Sequence, residues 1–145
     1  MSVDIEVVRE VTDEMVAAVN RLLPQLSGSA PPVTPGALGR LLSWDGTTLL
    51  VARAGDEVIG MLTLVTFPLP SGLRAWIEDV VVDERARGRG AGAALTREAV
   101  QLARAAGART VDLTSRPARL SANRLYERLG FRLRETNLYR IDTAG

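Results

Sequence analysis

The chain lacks two residue types that many enzymes depend on, and each absence narrows its possible chemistry. Its 145 residues include no cysteine, which excludes a disulfide framework, a thiol nucleophile and a thiolate metal site. They include no histidine either, which excludes histidine-based zinc sites and Ser-His-Asp catalysis. We therefore expect no metal, and any general base must be a carboxylate, a tyrosine, water or the backbone.

The chain also lacks a long apolar run. The uncharged stretches 47–52 and 58–70 are too short or too strand-like to cross a bilayer. At the N-terminus, Asp4, Glu6 and Arg9 interrupt the apolar segment that a signal peptide would need. These features predict a cytoplasmic protein with no membrane partner.

Lysine is absent too, so all 18 basic residues are arginines, although the net charge is only +1. Two clusters stand out, at Arg85, Arg87 and Arg89 and at Arg116, Arg119, Arg124 and Arg128. Arginine clusters can bind nucleic acid. Both clusters, however, flank motifs that suit an anionic cofactor, so cofactor binding is favoured and no nucleic-acid partner is expected.

The order of predicted elements indicates the fold class. Apolar residues make up 46% and charged residues 24%, which is typical of a soluble globular protein, and the length predicts one domain over residues 1–145. Predicted strands cover 3–8, 48–53, 58–65, 75–82, 110–115 and a final pair within 131–141; predicted helices cover 13–23, 36–42, 90–106 and 120–129. Residues 67–72 read as a connector between strands. This order predicts an α/β sheet flanked by helices.

The most informative stretch joins a strand to a helix through a turn rich in glycine and arginine. Residues 80–92 read Val-Val-Val-Asp-Glu-Arg-Ala-Arg-Gly-Arg-Gly-Ala-Gly. Glycines remove the Cβ atoms that would block a close approach, the first N–H groups of a helix have no intrahelical acceptor, and the helix dipole adds positive charge. The stretch therefore predicts a binding site for a pyrophosphate.

Two other interpretations of this turn stay open. Gly88, Gly90 and Ala93 also fit the dinucleotide fingerprint G-x-G-x-x-A, with Asp112 near the position of its ribose-binding acid. In that fingerprint the first glycine follows its strand directly, whereas residues 83–87 intervene here, and the remaining chain is too short for more βα units. The turn could also do no more than start a helix.

A second motif downstream gives the chain a family resemblance. Residues 122–131, Ala-Asn-Arg-Leu-Tyr-Glu-Arg-Leu-Gly-Phe, predict a helix that ends at its glycine. They resemble the pattern Ala-x-x-Leu-Tyr-x-x-x-Gly-Phe, while Arg87, Gly90 and Gly92 reproduce the spacing Arg/Gln-x-x-Gly-x-Gly/Ala. Both patterns belong to the GNAT N-acetyltransferase superfamily, which the chain resembles over roughly residues 74–141.

The resemblance implies a single-domain GNAT-like fold with a mixed central sheet of about six to seven strands and about four flanking helices. It implies direct transfer of an acetyl group from acetyl-CoA to a primary amine within a ternary complex. The acceptor could be a small molecule or a protein amino group, and a homodimer stays open. The competing hypothesis is a non-catalytic acyl-CoA sensor or interaction module of the same fold.

The resemblance also assigns cofactor-binding residues. In the family, the backbone of the strand before the turn holds the pantetheine arm and polarises the thioester carbonyl, and the turn holds the phosphates. Asn123 could hydrogen-bond the pantetheine, and a cap or surface role is the alternative. The matching positions of this chain are Val80, Val81 and Val82 for the strand and Arg87, Gly88, Arg89, Gly90, Ala91 and Gly92 for the turn.

Two residues are candidates for proton transfer. The resemblance makes Tyr126 the general acid for the departing thiolate, and a core aromatic residue is the alternative. It makes Glu78 the general base or an anchor for the amine. Strand alternation would place Asp79 on the opposite face from Glu78, where we expect it to pack or pair structurally. The two carboxylates together favour a cationic acceptor.

Overall fold

The computed structural model of the protein describes residues 2–144. The chain forms two compact units, divided between Thr114 and Ser115. The α/β class, with a mixed sheet and helices, is confirmed, whereas a single domain over residues 1–145 stays a prediction.

The first unit contains all five strands and three of the four helices. Its strands are β1 (Asp4–Val7), β2 (Thr47–Ala54), β3 (Glu57–Leu69), β4 (Gly72–Val82) and β5 (Val111–Asp112). Its helices are α1 (Asp13–Leu26), α2 (Pro35–Ser43) and α3 (Ala91–Ala105), with a short 3₁₀ turn at Glu84–Ala86. In the second unit, α4 covers Leu120–Arg128.

The sheet follows the order of the chain, β1-β2-β3-β4-β5. The first three pairs are antiparallel, while β4 and β5 are parallel. Strand β4 is therefore the strand at which the antiparallel part of the sheet meets the parallel pair.

Helices cover both faces of this sheet. Alternate residues of β2 point to opposite faces, so Leu49 and Val51 pack under α1 and α2. Leu50 and Ala52, which are fully buried, face the side where α3 packs against β2, β3 and β4.

Two helix starts are fixed by threonine caps: Thr12 Oγ1 accepts from Met15 N at 3.1 Å, and Thr34 Oγ1 accepts from Ala37 N at 3.1 Å. Within residues 2–144, no helix combines the length and the apolar character that a membrane span requires.

Residues 2–144 form five strands, fewer than the six to seven that the resemblance implied. The predicted final pair of strands within 131–141 is wrong, and β5 has two residues instead of the predicted 110–115. Residues 132–144 are exposed, and Leu133 reaches 97% exposure. A strand needs a neighbouring strand whose backbone it can hydrogen-bond, and no strand pairing forms within residues 131–141.

The predicted connector at 67–72 is also wrong. Strand β3 continues to Leu69 and β4 starts at Gly72, so the two strands form one long hairpin with a tight turn. Pro68 suggested a loop, but a proline is tolerated near the end of a strand where its missing N–H is not required.

The turn before β2 generates a stability prediction. Gly46 has φ +82°, and a Cβ there would lie 2.3 Å from the backbone oxygen of Thr66. Gly55 also has positive φ, at +62°, but a Cβ there would meet nothing within 4 Å. We expect Gly55→Ala to lower the free energy of unfolding by about 1–2 kcal/mol, the cost of the left-handed backbone alone. Gly46→Ala should cost at least about 2 kcal/mol more, because the backbone must also move. Urea unfolding of both variants measures the difference, and equal losses would contradict the close contact.

Candidate active site

Strand β4 has an open edge. On one side it pairs with β3 over most of its length, but on the other side it pairs with β5 only at Ala75 and Trp76. Beyond Trp76, no strand among residues 2–144 pairs with that edge of β4. Residues 77–82 therefore offer backbone groups from a strand edge.

A β-bulge lies within this open segment. Glu78 pairs with Thr63 and Val81 with Met61, so two residues of β4, Asp79 and Val80, stand opposite a single residue of β3. Among the described residues, Asp79 is the one non-glycine residue with positive φ, at +52°. A bulge leaves its extra residue unpaired and turns the strand. Simple alternation therefore holds up to Glu78 and breaks immediately after it.

The turn after β4 is built to accept an anion. Gly88 and Gly90 have φ of +85° and +79°, and a Cβ at either would meet nothing within 4 Å, so the space in front of them is open. Gly90 caps α3 without any side-chain hydrogen bond. Within the described chain, none of the backbone N–H groups of residues 87–93 donates a hydrogen bond. Exposed Arg87 and Arg89 add positive charge to these free donors.

A buried carboxylate that sequence reasoning missed holds the start of this turn. Asp83 is 3% exposed, and its carboxylate accepts from the backbone N of Arg85 at 3.1 Å and from Arg85 Nη2 at 3.2 Å. Gln25 Oε1 accepts from Glu84 N at 3.0 Å, which ties the turn to α1. The hydrogen bonds from Arg85 lower the pKa of the Asp83 carboxyl below its usual range, although burial acts in the opposite direction. An aspartate directly before a turn is a capping signal that the sequence displayed.

The strand residues predicted to hold pantetheine have packed side chains. Val81 is buried in the apolar cluster beneath α1, and Val80 and Val82 are partly buried. Their side chains therefore stabilise the sheet, and any contact with a cofactor falls to their backbone groups.

The candidate base lies directly before the bulge. Glu78 is exposed, and its Oε2 accepts a hydrogen bond from Trp76 Nε1 at 2.5 Å. Its other carboxylate oxygen has no partner within residues 2–144. The Asp79 side chain is exposed and makes neither a hydrogen bond nor an ion pair in the same range, so the expectation that it packs or pairs structurally is wrong.

The candidate acid lies on α4 in the second unit. Tyr126 is 8% exposed, and its ring makes an edge-to-face contact with Phe131 at a centroid distance of 5.9 Å. Gly130, with φ +101°, ends the helix as predicted, and Phe131 N donates to Tyr126 O at 3.0 Å. Burial raises the pKa of the Tyr126 phenol, against a smaller opposing effect of Arg119. The phenol is therefore protonated at neutral pH, and its hydroxyl makes no hydrogen bond within the described residues.

Asn123 lies one helical turn before Tyr126. Its Nδ2 donates to the carbonyl oxygens of Arg116 at 3.1 Å and Pro117 at 3.3 Å. The side chain therefore supports the loop before α4, and its binding of pantetheine stays a prediction. Across residues 2–144, no three acidic side chains come together in a way that could hold a metal ion.

Comparison with known proteins decides the family. The sequence profile of the Acetyltransferase (GNAT) family matches residues 16–131, which is most of the chain. The chain belongs to this family. It is accordingly an acetyltransferase by family, and the segment from β4 into α3 lies within the matched range. No curated protein matches it significantly.

Solved structures share the fold of this GNAT chain. A transcriptional regulator from Bacillus halodurans is 27% identical, with a TM-score of 0.83 over 97% of this chain and 100% of the other. A Trypanosoma brucei acetyltransferase is 28% identical, with a TM-score of 0.79 over 98% and 100%. An aminoglycoside acetyltransferase from an uncultured soil metagenomic sample, in complex with sisomicin, is 18% identical, with a TM-score of 0.85 over 99% and 97%, and shows likeness of fold alone.

The buried carboxylate generates a pH prediction. Because the pKa of Asp83 is lowered on folding, its ionised form stabilises the native state at pH values above the ordinary aspartate pKa of 3.8. That contribution is lost as the pH falls through the lowered value. We expect Asp83→Asn to be less stable than the wild type at pH 7, with the difference shrinking as the pH falls below about 4. Urea unfolding at both pH values measures it, and a difference that does not change with pH would exclude Asp83 as an ionised cap.

Proposed function

We propose that this GNAT protein transfers an acetyl group from acetyl-CoA directly to a primary amine within a ternary complex. The observation that carries the proposal is the continuous segment 77–93. In this segment, an open strand edge with a bulge is followed by a turn and a helix start whose N–H groups donate no hydrogen bond within the described residues. A cofactor with a long amide-containing arm and a phosphate end fits such a segment.

The two parts of the segment suit the two parts of coenzyme A. Free N–H groups at 87–93, together with Arg87 and Arg89, hold the phosphates, because anions bind at helix starts that lack a capping side chain. The amide groups of pantetheine add to the open edge of β4 as an extra strand would. The acetyl thioester supplied by the cofactor then lies near the bulge at Asp79 and Val80, where an unpaired N–H can polarise its carbonyl.

Glu78 acts on the amine. Its free carboxylate oxygen accepts a proton from the incoming ammonium, directly or through water, and the neutral amine attacks the thioester carbon. The new C–N bond forms as the C–S bond breaks, and the nitrogen then loses its second proton to water, which leaves the neutral amide. With no cysteine in the chain, no acyl-enzyme on a thiol precedes this step.

Tyr126 acts on the leaving group. Its phenol stays protonated because burial raises its pKa, and it donates that proton to the departing thiolate of coenzyme A. The hydroxyl is free of other hydrogen bonds within residues 2–144, so no competing acceptor holds the proton.

A second candidate function follows from one of the structural relatives. The protein from Bacillus halodurans bears the name of a transcriptional regulator, which favours the acyl-CoA sensor or interaction module as the alternative for this chain. Retention of both Glu78 and Tyr126 favours the enzyme. A cytoplasmic location and a homodimer stay predictions.

The first prediction of this proposal tests the phosphate site. Gly90→Glu adds a negative charge in front of the free N–H groups, and we expect it to weaken coenzyme A binding by at least about 2 kcal/mol. Gly90→Gln is the matched control, because it introduces the same bulk and the same backbone cost at φ +79° without the charge. Calorimetric titration of both folded variants gives the difference. Equal affinities would place the phosphates elsewhere.

The second prediction separates enzyme from sensor. Purified protein with acetyl-CoA and a panel of amines should release free coenzyme A, whereas a sensor would bind acetyl-CoA without releasing thiol.

Tyr126→Phe should lower kcat by about ten- to a thousandfold and leave the dissociation constant of acetyl-CoA nearly unchanged. Tyr139→Phe is the control, since Tyr139 is 87% exposed. Normal turnover by Tyr126→Phe would make Tyr126 a core aromatic residue only.

A further inference from the structure

Asp112 is brought beside the candidate base by the sheet register. It is the parallel register partner of Trp76, and register partners in adjacent strands point to the same face. Glu78 lies two residues beyond Trp76 on β4, so it shares that face, and the bulge begins only after it. Asp112, Trp76 and Glu78 therefore line one face of the sheet where β4 and β5 separate.

The spacing of these residues follows from strand geometry. Neighbouring strands lie about 4.8 Å apart, and residues two apart on one strand are separated by about 6.6 Å. Asp112 thus lies beside Trp76 on the neighbouring strand, and Glu78 lies farther along the same strand as Trp76. The hydrogen bond from Trp76 Nε1 to Glu78 Oε2 fixes the indole and that carboxylate relative to each other.

The Asp112 carboxylate has no cationic partner among the residues that the structure describes. Asp112 is partly buried, and within residues 2–144 its carboxylate makes neither a hydrogen bond nor an ion pair. Arg74 lies on the same face of β4, two residues before Trp76, but it forms no ion pair with either carboxylate in that range. A partly buried carboxylate that forms no ion pair within residues 2–144 can pair with a cationic group of a bound ligand.

We propose that Asp112 selects the acceptor by binding a second ammonium group, so that the preferred substrate is an amine with at least two amino groups a few bonds apart. Glu78 receives the reacting amine, Asp112 holds the other one, and the Trp76 indole between them contributes a cation–π contact. This inference rests on the proposed acetyltransferase function, and it adds the substrate class and a specificity-determining residue.

The test compares two acceptors, one with a second positive charge and one in which that amine is acetylated and neutral. Thiol release is measured with 1,4-diaminobutane and with N-acetyl-1,4-diaminobutane, which has one amine blocked. We expect the wild type to favour the diamine by about tenfold or more in kcat/KM, the scale of one charge-assisted contact. Asp112→Asn should remove most of that preference through KM, with kcat and the rate for the blocked amine nearly unchanged. Asp56→Asn, which removes an exposed charge in the β2–β3 turn, is the control that should preserve the preference.

A second readout needs no turnover. In a Trp44→Phe protein, which leaves Trp76 as the single tryptophan, coenzyme A is bound and indole fluorescence is titrated with the two amines. The diamine should perturb the fluorescence at about tenfold lower concentration than the blocked amine, and Asp112→Asn should abolish the difference. Turnover without any preference for the diamine would overturn the role of Asp112 and leave the proposed function intact. Failure of every amine to release thiol would count against the proposed function, and equal fluorescence responses would then reject the diamine site as well.

Discussion

The backbone of β4 is the constraint on which the candidate site depends, because this strand has to stay in the sheet while leaving one edge unpaired. Pairing with β3 holds one side over most of its length, and the other side loses its neighbour after Trp76. Backbone groups without partners are costly unless solvent or a ligand bonds them. The bulge at Asp79 adds a left-handed residue to the same stretch. A strand that makes fewer backbone hydrogen bonds to its neighbours needs other contacts to hold it in the sheet.

That support comes from the elements around the strand. Val81, two residues after the bulged Asp79, returns its side chain to the apolar cluster under α1, which fixes the strand on the far side of the irregularity. Directly beyond the strand, buried Asp83 caps the 3₁₀ turn and pairs with Arg85. Gln25 on α1 bonds the same turn. These contacts hold the end of the irregular segment directly before the turn that carries the free N–H groups of residues 87–93.

The parts of this arrangement that could be predicted from sequence are the local ones. Glycines at 88, 90 and 130 mark positions where chain direction changes within a few residues. All three have positive φ, which the sequence indicated only for Gly130 at the end of its helix. Register between strands is not local. The bulge at Asp79 and the pairing of Trp76 with Asp112 depend on residues far apart along the chain, and spacing within one strand carries no information about them. The predicted pair of strands within 131–141 was wrong for the same reason, since no backbone pairing forms there within the described residues.

The register also explains how one strand can serve ligands of opposite charge. The exposed arginines of the turn and its free N–H groups lie beyond the C-terminal end of β4, whereas Glu78 and Asp112 lie near its middle. Because of the bulge, Glu78 and Val82 stand opposite Thr63 and Gly60 of β3, three residues apart, which is about 10 Å along the sheet. That exceeds the Debye length of about 8 Å at physiological ionic strength, so each exposed end acts largely on its own ligand. Under the proposed function, local charge would direct an anionic cofactor and a cationic amine to different parts of a protein whose net charge is only +1. The two ligands would meet at the bulge, where the unpaired backbone lies between the two charged regions.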